Sequence, residues 1–175
     1  MNFKLEEAFE VLERTPAVLE ALLLGLSQGW LDANEGEGTW NPKEVVAHLI
    51  EAEKTNWIPR LQFILEDGSG QSFPPFDRFA HLKSTSNESI QDLLNDFKRK
   101  RIDTINLLRK LIHSEQLLNE KGNHPEFGEV KVRELISTWV VHDFTHISQI
   151  VRVMAKRYRG DVGPWEAYLG DKAVI

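Results

Sequence analysis

The stretch Thr138-Trp139-Val140-Val141-His142-Asp143-Phe144-Thr145-His146-Ile147-Ser148-Gln149 decides the reading, because it sets two imidazoles four residues apart inside an apolar run. From Val132 to Tyr158 there is no Gly or Pro, and apolar residues recur at three- and four-residue spacing, which predicts one long helix. One helical turn separates His142 from His146, so both share a face. At roughly 100° per residue, Leu135, Trp139, Ile150 and Val153 point the same way, which puts the pair in the stripe that should face the core. Two inward imidazoles one turn apart can grip one metal ion. The spacing alone is weak, since six His in this chain give about 0.2 such pairs by chance. Two core histidines with satisfied rings are the plainer reading, and it stays open at this point.

Around that stretch lie 175 residues, 41% hydrophobic and 27% charged, with a net charge of −6. Such a chain fits one domain, residues 1–175, and can bury a core without staples. The basic runs Lys98-Arg99-Lys100-Arg101 and Arg152 to Arg159 are each offset by neighbouring acids, so no nucleic-acid partner is expected. No apolar run approaches the roughly 20 residues of a membrane span, and the N-terminus lacks the basic-then-apolar layout of a signal peptide. A cytoplasmic protein without a membrane partner is expected. With no Cys, disulfides, thiolate zinc sites and a cysteine nucleophile are excluded together, so any metal must use His, carboxylates and water.

The first segment carries Leu5, Phe9, Leu12, Leu19, Leu23 and Leu26 at helical spacing, which predicts a helix, or a helix pair kinked where Thr15 could cap and Pro16 open a new turn. Asn41-Pro42 with Glu44 is a strong helix start, and that helix should run to about Glu66 with a bend at Pro59. Its polar stripe of Glu44, His48, Glu51, Thr55 and Gln62 is either a solvent face or one wall of a cleft. Residues 67–84 form a long connection whose Phe73-Pro74-Pro75-Phe76-Asp77-Arg78-Phe79 is aromatic enough to cover something; His81 within it reads as a surface residue. A third helix should start near Thr85-Ser86, with Glu88 or Ser89 closing a cap, and bury Ile90, Leu93, Leu94, Phe97, Ile105 and Leu108. Arg101 projects from the middle of that stripe and either snorkels outward or pairs with an inward carboxylate. Asn123-His124-Pro125 and Gly128 mark a turn before the last long helix. Beyond Gly163-Pro164, Trp165 and Tyr168 should pack a short terminal helix on the bundle. Four amphipathic segments and no convincing strand predict an all-α four-helix bundle, antiparallel or, given the long second connection, with a crossover.

Trp40-Asn41-Pro42-Lys43-Glu44 followed by His48-Leu49, with the later His142-Asp143-Phe144-Thr145-His146 and Gln149, resembles the DinB-like superfamily of bacterial four-helix-bundle metalloproteins, which includes YfiT-type proteins and thiol-dependent transferases. The resemblance covers nearly the whole chain. It departs at Asn41, where Ser or Thr is expected, but Asn caps equally well. It implies that His48, His142 and His146 bind a divalent metal, with zinc or nickel suiting such ligands. Three imidazoles leave open positions for water or substrate, as in catalytic zinc sites. Glu51, Asp143 and Gln149 become candidates for orienting the ligating rings.

Two functions of different class follow from that implied site. In the first, the protein is a metal-dependent transferase that activates a low-molecular-weight thiol of the bacillithiol, mycothiol or glutathione type toward an electrophilic small molecule. A thiol coordinated to a divalent ion loses its proton near neutral pH, giving a nucleophile this Cys-free chain cannot supply. Glu51 or Asp143 would orient a ligand and Arg101 would attract an anionic thiol or substrate. In the second, the bundle binds metal or ligand in a stress response without turnover; hydrolysis by metal-bound water is a third possibility. A homodimer is expected, because the resemblance suggests one and the broadly apolar second helix, with Ile50, Trp57 and Ile64, has surface to hide.

Overall fold

Asn41 starts the element that brings His48 to the site. Its side chain accepts from the Glu44 amide at 2.9 Å while Glu44 accepts from the Asn41 amide at 2.8 Å, a reciprocal cap followed by Pro42 in the first turn. A computed structural model describes residues 2–67, 71–73, 75–83 and 88–169. In it, α1 spans Leu5–Leu23, α2 Gln28–Leu31, α3 Pro42–Thr55, α4 Trp57–Asp67, α5 Ile90–Leu111, α6 Val132–Arg159 and α7 Glu166–Leu169. The expected second helix is therefore two helices, broken at Asn56 rather than bent at Pro59. Pro59 sits in the first turn of α4, where a missing N–H costs nothing.

The direction of each helix follows from the two halves of the core. One half gathers Ala8, Phe9 and Leu12 with Trp57, Leu61, Ile64, Ile105, Leu108, Ile136 and Trp139. The other gathers Leu19 and Leu23 with Val45, Leu49, Leu93, Phe97 and Ile150. Along the chain, α1 and α6 pass from the first half to the second, while α3–α4 and α5 pass from the second to the first. Thus α3–α4 and α5 run parallel, and the long second connection is a crossover. Two chain-adjacent helices can share a direction only if the link between them returns along the bundle's length.

Pro16 does not break α1. Its absent N–H would have bonded the Leu12 carbonyl, and Arg101 Nη1 fills that vacancy at 2.9 Å. The expected start of the third helix at Thr85-Ser86 lies outside the described residues; Ser89 caps α5, accepting from the Asp92 amide at 3.1 Å. The expectation of no strand is corrected. Lys121–His124 (β1) pairs antiparallel with Gly128–Lys131 (β2), in the register Gly122 to Val130. Four-residue strands are too short to leave a readable alternation. This hairpin tethers the crossover, because the Phe73 amide donates to the Asn123 carbonyl at 3.2 Å. At the other end, Trp165 and Tyr168 are 69% and 86% exposed and do not pack on the bundle. Ile50, Trp57 and Ile64, expected to be apolar surface on the second helix, are buried within the chain's own core. Among the described residues, no helix is long and apolar enough to cross a membrane.

Candidate metal centre

His48 comes from the middle of α3, and His142 and His146 from one face of α6, which runs opposite to it. Nε2 of His48 lies 3.2 Å from Nε2 of His142. The ring of His146 closes the group, 4.7 Å from that of His48 and 4.4 Å from that of His142, centroid to centroid. One ligating nitrogen from each lies within 4.8 Å of the other two, so this trio can hold a metal ion. Two nitrogens on a tetrahedral zinc are separated by about 3.3 Å, given bonds of about 2.0–2.1 Å, and the 3.2 Å spacing matches that.

Protonation supports the same use. Burial is the main force lowering the proton affinity of all three rings, taking His48 to about 3 and His142 to about 2; charge on neighbouring imidazoles adds to it at His48 and His142, whereas Gln149 and Asp143 oppose it at His146. Neutral rings present lone pairs, which ligation requires. His146 Nδ1 donates to Gln149 Oε1 at 2.8 Å, which turns its Nε2 toward the group. Among the described residues, Nδ1 of His48 and Nδ1 of His142 are buried without a hydrogen-bond partner of ordinary geometry, although the Arg78 backbone near His48 favours its protonated form. Core histidines with satisfied rings would not leave such atoms, which weighs against the plainer reading of the pair.

The imidazoles line a cavity of about 550 Å³ with Trp40, Phe76, Phe79, Arg78, Gln149 and the pair Glu35–Arg152. The polar stripe of α3 is thus a cleft wall at His48. Trp40, unassigned in the sequence reading, lies over His48 at 4.8 Å and meets His81 edge-on at 4.5 Å. His81 itself is corrected from surface to core. It is 1% exposed and packs its ring 5.2 Å from that of His48. Phe76 reaches the His48 ring at 5.7 Å, so the aromatic crossover does cover something. Adjacency to a Pro-rich loop was the available signal for these residues, but it does not say which ring turns inward.

Glu51 is not in this cavity; it lines a separate one of about 360 Å³ with Thr55, Arg60, Phe63 and Phe76. Asp143 and Arg101 do not line this cavity either, so Arg101 is not placed to attract an anionic thiol or substrate as expected. Arg101 is 1% exposed and gives all five of its donors to protein. Nε and Nη2 reach Glu53 Oε1 at 3.1 and 2.9 Å, Nη1 and Nη2 reach Asp143 at 2.6 and 3.0 Å, and Nη1 also reaches the Leu12 carbonyl. Thr15 donates to Asp143 at 2.7 Å, and Trp139 and Thr104 donate to Glu53. Burial works against the guanidinium, but Asp143 and Glu53 outweigh it and hold Arg101 protonated far above neutrality. The network ties α1, α3, α5 and α6 together directly behind the imidazoles. Its Glu53 went unread in the sequence.

A model of the DinB superfamily matches residues 11–150. The chain belongs to that superfamily. As a DinB-superfamily member it also matches two solved structures in fold. YfiT from Bacillus subtilis, described as a probable metal-dependent hydrolase with an unusual four-helix bundle topology, aligns at a TM-score of 0.74 and 22% identity over 87% of this chain and 86% of YfiT. TT2238, a four-helix bundle protein, aligns at 0.52 and 23% identity over 82% of this chain and 95% of its own. No curated protein matches.

Proposed function

We propose that this DinB-superfamily protein is a divalent-metal-dependent transferase that joins a low-molecular-weight thiol to an electrophilic small molecule, with His48, His142 and His146 holding zinc or nickel. One observation carries the reading: three neutral imidazoles from two helices line an open cavity whose described lining offers no uncommitted nucleophile, its one carboxylate, on Glu35, being held by Arg152. The lining includes one hydroxyl, on Thr39, and it donates to the Gly36 carbonyl at 2.6 Å. The attacking group must therefore enter from solution. A bound divalent ion would supply Lewis acidity, lowering the proton affinity of an entering thiol into the neutral range. The thiol's proton passes to solvent, its sulfur forms the new bond, and the leaving group departs with its electron pair.

The chain's residues have distinct parts in this scheme. Gln149 fixes the tautomer and tilt of His146, and Trp40 and Phe76 shut water away from His48. Arg101, Glu53 and Asp143 hold the helices that carry the ligands in register. Water as the entering nucleophile is a second reading, favoured by the description of YfiT. The test is elemental analysis of purified protein, then screens for thiol consumption and for ester and amide hydrolysis, with metal and with chelator. Metal-dependent thiol consumption is expected. Metal-dependent hydrolysis without thiol would favour water, and bound metal with neither activity would leave a binding protein.

A further inference from the structure

We infer that Arg78 is the anion anchor of the imidazole cavity, and that the small molecule admitted there carries a carboxylate. The inference rests on the proposed metal-dependent reading and names the class of its ligand. The charged residues lining the cavity are Glu35, Arg78 and Arg152. Glu35 and Arg152 cancel one another, joined by two contacts of 2.8 and 2.7 Å. Arg78 has no such match. It is exposed, and among the described residues its guanidinium makes no ion pair or side-chain hydrogen bond; it stacks on Phe79, with Cζ 5.1 Å from the ring centroid. A stacked guanidinium spends its face and keeps its N–H edge for a planar two-oxygen acceptor.

Position links this edge to the imidazoles. Phe79 meets Trp40 edge-on at 6.1 Å, and Trp40 lies over His48 at 4.8 Å, so the cation is tied to the metal centre through two ring contacts. Three neutral rings, one cancelled pair and one unmatched guanidinium leave the cavity positive before a divalent ion adds more. Arg101, the cation first considered for this part, has no donor left to offer. One fork matches one carboxylate. A phosphate's three oxygens call for further donors, and the described lining has no second unmatched cation.

The test uses the full chain loaded with zinc and three probes: 3-mercaptopropionate, 2-mercaptoethanol and propionate. Calorimetric titration should show 3-mercaptopropionate binding about tenfold more tightly than 2-mercaptoethanol, as one charge-assisted fork near solvent provides. Arg78→Gln should erase that preference and leave 2-mercaptoethanol binding unchanged, while Arg78→Lys should restore part of it. Added salt should shrink the preference in the wild type. A preference that survives Arg78→Gln, or a wild type without one, overturns the inference, while the thiol binding itself leaves the proposed function standing. If neither thiol binds, propionate decides. Propionate binding that depends on Arg78 keeps the anchor and sinks the thiol reading; propionate binding indifferent to Arg78, or none, sinks the anchor too.

Discussion

Replacing Arg101 with Met should destabilise the protein by about 3–5 kcal/mol at neutral pH, the size expected when one partner of a buried ion pair is removed. The structure sets that size. Met fills the aliphatic space but brings no donors, so the fully buried carboxylates of Glu53 and Asp143 lose both their bidentate partner and their counter-charge. Glu53 keeps Trp139 and Thr104, Asp143 keeps Thr15, and the Leu12 carbonyl beneath Pro16 is orphaned. Against a total of about 5–15 kcal/mol this is a large share. The loss should also depend on pH. Burial already raises the Glu53 carboxyl, with Arg101 opposing; without Arg101 the rise grows, and the folded state then binds a proton that the unfolded chain releases. The deficit of the mutant relative to wild type should therefore shrink as pH falls from about 7 toward about 5. Urea unfolding followed by tryptophan fluorescence at both pH values measures it. A deficit under about 1 kcal/mol at neutral pH, or one that grows on acidification, would refute the reasoning.

Three further outcomes follow. Gln149→Ala removes the acceptor of His146 Nδ1 and should weaken metal binding about 10- to 100-fold without unfolding the protein, as read by competition with a chelating dye. Gly122→Ala should cost about 1–3 kcal/mol in thermal unfolding, because a Cβ there would sit 2.5 Å from Ile64 Cγ1 and 3.1 Å from Phe73 Cε1. In metal-free protein, the imidazoles have folded-state values depressed from 6.5, so the unfolded chain takes up protons first. Stability is then fully present above about 6.5 and falls with pH toward the folded values of about 3 for His48 and 2 for His142; a urea midpoint that stays flat through that window would show that the rings are not buried neutral.

Much of this was legible because local chemistry and the tertiary result agree. That His142 and His146 share one inward face was readable from helical period, though not their use, and the Asn41–Glu44 cap formed as its spacing predicts. Arg101 stood out as a cation in an apolar stripe, but its partners did not. Glu53 sits outside the stripe assigned as polar on the same helix, and nothing local tells a buried carboxylate from a solvated one. Pro16 left a single helix and a kinked pair both open for the same reason, since the donor that makes it harmless arrives from a helix 85 residues later, at Arg101. His81 and Trp40 depend on how a crossover folds over α3, which periodicity does not encode. The break at Asn56 was hidden by a Pro three residues on that drew attention to itself.

The central claim is that one metal ion is shared by two helices, and metal content of the single mutants tests it most directly. Wild type, His48→Ala and His142→Ala would be loaded with zinc, desalted and analysed by mass spectrometry, with circular dichroism confirming that each is folded. The account predicts about one ion per chain in the wild type and near-complete loss in both mutants, although His48 lies on a different helix from the pair. Metal retained at wild-type level by His48→Ala, or a wild type that holds none, would contradict it.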